Sequence, residues 1–202
     1  MNYFETDTVN EVVRGLGYVA EFLDRARIDS YSWKCVVIHL DSSLQNAMVA
    51  AVVNSTQTNV LSNGNAVYNA IHESRPGPEE RLQNFHKLLE LVQSSQMERY
   101  SASKKLVLTG GQKKSIEDTH NRFRNDFTHF VPRTLIVELT GFPEMVRDCV
   151  DVVEFLMLNS GNVMYQDGQI EEIAKRLKEI RVLIPVLMSD EKLHNKFKSN
   201  AK

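Results

Sequence analysis

Residues 122 to 130 read RFRNDFTHF, with Arg124 and Asn125 adjacent and His129 five positions after the arginine. Arginine, amide and imidazole are the side chains that hold and cleave a phosphodiester without a metal. Cleaving RNA needs a base for the 2′-OH proton, a charge for the crowded phosphorane and an acid for the 5′-oxygen. An imidazole near neutral pKa transfers protons, and a guanidinium offers paired donors to phosphate oxygens. The amide orients either partner. His129 also precedes Pro132 by three residues, in the last turn of the expected helix, where the negative end of the dipole favours imidazolium.

On a helical wheel of about 100° per residue, Ile116, Phe123, Phe127 and Phe130 share one apolar face. Arg124, Asn125 and His129 fall outside it, with Asn125 and His129 neighbours at i,i+4. Arg124 and His129 diverge by about 140°. A small site holding both therefore calls for a distorted helix or a second subunit. Spacing alone leaves a solvated, structural role open, since Arg81-Leu82-Gln83-Asn84-Phe85-His86 repeats the Arg-x4-His spacing. There an apolar Leu82 follows the arginine, and Arg81 and His86 are expected to be structural or solvent-facing.

The elements that carry these residues read as helices nearly throughout. Val9, Val12, Val13, Leu16, Ala20 and Leu23 mark a first helix from about 8 to 27, with Gly15 and Gly17 in its middle. A second starts at Ser30 as N-cap and puts Trp33, Val36, Val37, Leu40, Leu44, Ala47, Met48 and Ala51 on one face. Residues 54–78, rich in Asn, Ser, Thr and Gly and including Asn63-Gly64-Asn65, read as a long connecting loop with room for a short strand or turn of its own. Pro78-Glu79-Glu80 opens a third helix through Leu82, Phe85, Leu88 and Val92, and another helical segment is expected near 98–107. Thr109-Gly110-Gly111 breaks the chain, and Ser115-Ile116-Glu117-Asp118 resembles a capping signal for the helix that carries the motif. Leu135 to Leu139 fits a short strand or a helical turn. Phe142-Pro143-Glu144 begins a helix reaching Met157, Ile170 to Ile184 mark the last, and 189–202 reads as a C-terminal tail. The fold class is an all-α bundle in one domain, 1–202.

Composition sets the frame. The 202 residues are 42% hydrophobic and 25% charged, with a net charge of −2, which suits one globular core and excludes coating of nucleic acid or anionic membranes by bulk charge. Cys35 and Cys149 are the only cysteines and sit among apolar residues, as expected of buried thiols in a reducing cytoplasm. The first residues lack the basic and apolar regions of a signal peptide, and apolar runs such as Val182–Met188 are shorter than the ~20 residues that span a bilayer. A cytoplasmic protein without membrane contact is expected.

A helical chain with Arg-Asn-x-x-x-His late in its bundle resembles the HEPN superfamily, marked by Arg, commonly a polar residue next, and His after four to six intervening positions. The resemblance implies an HEPN-like bundle and a metal-independent endoribonuclease without cofactor, whose two subunits bring their motif helices together, often within a toxin or phage-defence system with an antitoxin or other partner protein. Arg124 would stabilise the phosphate, His129 would transfer protons and Asn125 would position them. Val131 stands where the nucleotidyltransferase-paired branch carries tyrosine, which sets this chain apart from that branch. The alternative within the same fold is a non-catalytic interaction or nucleotide-binding module.

Charge is uneven along the chain. Between Lys104 and Arg133 seven basic residues face three acidic ones, a surplus of four that leaves −6 elsewhere. Lys113, Lys114, Arg122 and Arg133 are the candidates for guiding RNA, although a solvated helix surface gives the same pattern. His39 is expected to be packed, His120 to lie near the core side of the motif helix, and Asp41, Asp148 and Asp151 to be helix-surface charges. The histidines and cysteines do not have zinc-site spacing, and no phosphate loop is present.

Overall fold

Apolar stripes at helical spacing produce the expected all-α bundle, with 66% of residues helical. The computed structural model describes residues 3–129, 132 and 134–200, the last eleven of these as backbone only. Helix α1 (Thr8–Ala26) is capped by Asp7, whose carboxylate accepts from the Asn10 N–H. It lies along α2 (Ser32–Val52), the central helix. Gly15 sets their approach: a Cβ there would sit 2.2 Å from Ser43 Oγ. By length and composition α2 could cross a membrane, yet 67% of that stretch is buried inside the bundle, as in any core helix. Ser30 does not cap it. Asp29 does the local work instead, accepting from the Tyr31 N–H and the Ser32 hydroxyl.

The connection after α2 is not a structureless loop. A 3₁₀ turn (Thr58–Val60) leads into α3 (Gly64–His72), where a Cβ on Gly64 would lie 1.9 Å from the Thr58 carbonyl oxygen. Gly64 is thus a close contact that begins a helix. Pro78 does not start a helix either. Residues 78–84 are extended, Ser62 and Gln83 donate across to Arg81 and Val60, and Asn63 clasps Glu79 and Arg81. These bonds occupy the backbone groups that a helix would use. Helix α4 (Phe85–Val92) begins only at the Asn84 cap.

Helical structure is likewise absent from 98–107. After a 3₁₀ turn (Ser95–Met97) the chain bends at 100–102 and then pairs at long range, Lys104 donating to the Ser160 carbonyl and the buried Leu106 to that of Val92. Thr109 forms a capping box with Gln112 and starts α5 (Gly110–Glu117). Ser115 is therefore inside the helix, where its hydroxyl donates to Asp148. A π-helical turn (Asp118–Arg124) and α6 (Asn125–Thr128) continue α5 as one motif helix. Residues 134–139 make no strand; Leu135, Val137 and Leu139 pack half-buried while Ile136 is 90% exposed. Helix α7 (Phe142–Glu154) runs into a second π turn (Phe155–Asn159), and α8 (Gln169–Asn200) carries helix through the expected tail.

Phe142 joins the core to the motif helix, meeting Trp33 of α2 at 5.4 Å and Phe123 at 4.6 Å between ring centroids. Arg99 donates to the Ala51 and Val53 carbonyls and so satisfies the end of α2. These contacts hold α2, α7 and the motif helix as the frame of the site, and α4 packs on α2 beside them.

Candidate functional site

Asp41 lies on the buried stripe of α2, four residues after Val37 and three before Leu44, and is only 3% exposed. A carboxylate there needs partners. His120 supplies one, its Nδ1 2.8 Å from Asp41 Oδ1, and Arg124 the other, its Nε 3.6 Å from Oδ2. Burial pushes the Asp41 carboxyl above its ordinary range, while the His120 hydrogen bond and the charges of His120 and Arg124 pull it back. The sequence expectation of a surface charge at Asp41 is therefore corrected. Asp148 and Asp151 are half-buried, the first accepting from Ser115 and the second from Arg181.

His120 and Arg124, four residues apart and so on one face of the helix, reach one carboxylate from the π turn that carries both. Single π turns inside α-helices widen the local spiral and recur at functional sites. Here the Thr119 hydroxyl donates to the Ser115 carbonyl, four residues back, at 2.7 Å. The same hydroxyl lies 3.5 Å from the buried Cys149 thiol, which burial pushes up to about 12. Cys149 is thus a packed, unreactive group.

His120 has aromatic walls. Phe85 stacks on it at 3.7 Å between centroids and 10° between planes, and His86 stands edge-on at 5.6 Å. His86 is exposed, and its Nε2 is 3.0 Å from Asn121 Oδ1. Arg81, its partner in the repeated spacing, is a solvent-facing side chain 3.9 Å from Glu79. Both follow the expectation for that pair, Arg81 facing solvent and His86 exposed beside the polar cluster.

Arg124 and Asn125 come together as a unit. Arg124 Nη1 donates to Asn125 Oδ1 at 3.0 Å, and Asn125 Nδ2 donates to the Asn121 carbonyl at 3.2 Å. The Arg124 side chain keeps 36% of its surface exposed. His129 does not join them within one chain. It is exposed at the end of α6, anchored by its own N–H to the Asn125 carbonyl, and no hydrogen bond or ion pair links it to Arg124. Lys113, Lys114 and Arg122 are exposed on the same helix, and Arg122 lies over the Phe123 ring at 4.7 Å. Arg133 lies outside the described residues, as do Phe130 and Val131.

Sequence reasoning therefore missed Asp41 and underrated His86 and His120. A signal was present: Asp41 interrupts the stripe Val37, Leu40, Leu44, Met48, and His120 interrupts Ile116, Phe123, Phe127. Polar groups on two facing apolar stripes satisfy each other.

His39 is packed as expected, between the rings of Tyr18 at 4.7 Å and Phe22 at 5.7 Å. Among the described residues no group of three or more His, Cys, Asp or Glu is placed to share a metal ion. Two hollows of about 550 and 480 Å³ lie away from the cluster, one beside Arg176 and one beside Arg99. Both arginines have structural partners: Arg176 is held by Glu172 and Glu179, and Arg99 by the end of α2. No protein-family model, curated protein or solved structure matches the chain.

Proposed function

We propose that this is a cytoplasmic, metal-independent endoribonuclease of HEPN type, acting as a homodimer whose motif helices together complete the site. The carrying observation is the fixed, partly exposed Arg124 guanidinium, held by Asp41 and Asn125 on a π turn of the helix that also bears His129. A guanidinium anchored on its inner side and open on its outer side is suited to a phosphate, because its geometry is set before the anion arrives. Asn125 orients Arg124. Exposed Lys113, Lys114 and Arg122 add positive charge along the approach.

The separation of His129 from Arg124 supports a second subunit as the source of the missing proximity. The same separation favours the competing reading, an interaction or nucleotide-binding module of this fold, if the protein is monomeric. The resemblance in the Arg-Asn-x-x-x-His motif supports the nuclease, and a role in a toxin or phage-defence pair with an antitoxin follows from it.

The chemistry has a distinctive signature. Purified protein should cut single-stranded RNA in excess EDTA and leave 2′,3′-cyclic phosphate and 5′-hydroxyl ends, detected by mass spectrometry. DNA should resist, because it lacks the attacking 2′-OH. Cleavage abolished by EDTA, or equal cutting of DNA, would refute this mechanism.

A further inference from the structure

Transesterification of RNA needs two proton transfers, and the Arg-Asn-x-x-x-His motif supplies one imidazole per chain. We propose that His120, oriented by the buried Asp41, is the second proton-transfer group of this site. The inference rests on the ribonuclease reading and extends it to a residue outside the motif.

Three observations carry it. First, His120 Nδ1 faces Asp41 Oδ1 at 2.8 Å, in a pocket where the carboxylate is 3% exposed. An imidazole donating Nδ1–H to a carboxylate presents its Nε2 lone pair outward, which is the tautomer a general base needs. Second, the ring cannot turn away: Phe85 stacks flat on it at 3.7 Å, and His86 blocks it edge-on at 5.6 Å. Its Nε2 has no hydrogen-bond partner among the described residues and is not among their buried unpartnered atoms. Third, the same Asp41 holds Arg124 through its other oxygen, so the base and the phosphate-binding charge share one anchor. The shared anchor fixes a proton acceptor next to an anion site.

The step balances without a co-reactant. His120 Nε2 takes the 2′-OH proton, O2′ forms a bond to phosphorus, and the P–O5′ bond breaks. His129, as imidazolium, gives its proton to O5′. The products are a 2′,3′-cyclic phosphate and a 5′-hydroxyl, and proton exchange with water restores both imidazoles. Asp41 touches no reacting atom and is a positioning residue.

The test separates chemistry from folding. His120→Asn places an amide nitrogen where Nδ1 was, so Asp41 keeps a donor, but removes Nε2. It should keep the wild-type melting temperature within a few degrees and lose cleavage of single-stranded RNA about 10²-fold or more, the range for a general base. Arg124→Ala and His129→Ala are assayed beside it. If these two lose cleavage while His120→Asn keeps wild-type rates, the assignment of His120 is overturned and the ribonuclease reading stands. If wild-type protein cuts no RNA, the reading fails and takes this assignment with it. An independent readout needs no activity: ¹⁵N chemical shifts should show neutral His120 as the Nδ1–H tautomer in wild type and lose that preference in Asp41→Asn. An Nε2–H tautomer in wild type would overturn the proposal.

Discussion

Asp41, His120 and Arg124 form one electrostatic unit in which each member limits the others. The carboxylate carries the burial penalty, and its two oxygens face two cationic or donor groups, so removing one partner leaves a buried charge short of compensation. His120→Ala should therefore lower unfolding free energy by about 1–3 kcal/mol, the cost of leaving a buried polar group unsatisfied, whereas His120→Asn should lose less than half of that. Denaturant titration of both variants checks the difference, and equal losses would mean that the Asp41 contact contributes nothing. The three motif residues were legible as candidates because their types and spacing are visible in one dimension. Asp41 was not, because a partner 79 residues distant along the chain decides whether a helix carboxylate faces water or a histidine. The placement of Asp41 and His120 inside apolar stripes was the available clue.

At the scale of elements, the helices legible from the sequence are those whose apolar spacing stays in one register. α1, α2, α7 and the helical part of α8 through Ile184 follow their stripes closely. The errors fall where backbone groups find long-range partners, as at 78–84 against 60–63 and at 104–106 against Ser160 and Val92. The π turn was invisible, since an inserted residue changes geometry without a compositional mark. Gly15 illustrates the opposite case, a residue that weakens helix propensity for a tertiary reason. Gly15→Ala gains about 0.5–1 kcal/mol of helix propensity. It also drives a methyl to 2.2 Å from Ser43 Oγ, whose hydroxyl is bonded to the His39 carbonyl. Overpacking costs about 1–3 kcal/mol, so the net should be destabilising. Gly15→Ala combined with Ser43→Ala should recover most of the loss in a double-mutant cycle. A more stable Gly15→Ala single variant would show that α1 and α2 do not need this approach.

For the whole molecule, the account requires two chains. No hydrogen bond or ion pair joins Arg124 to His129 in one subunit, so the active species should be a dimer with the motif helices at its centre. Sedimentation should give a dimer at tens of micromolar, and Arg124→Ala mixed with His129→Ala after subunit exchange should regain activity that neither has alone. A monomer, or no recovery after verified exchange, would remove the composite site. The most direct measurement of the central claim is the rate of single-stranded RNA cleavage in EDTA by wild-type protein, Arg124→Ala and His129→Ala prepared identically. Each substitution should lower the rate about 10²-fold or more; melting temperature should stay nearly unchanged in His129→Ala, whose side chain is exposed, and fall in Arg124→Ala, which takes a partner from buried Asp41. Equal cleavage by wild type and both variants would contradict it, as would no cleavage by wild type across varied RNAs.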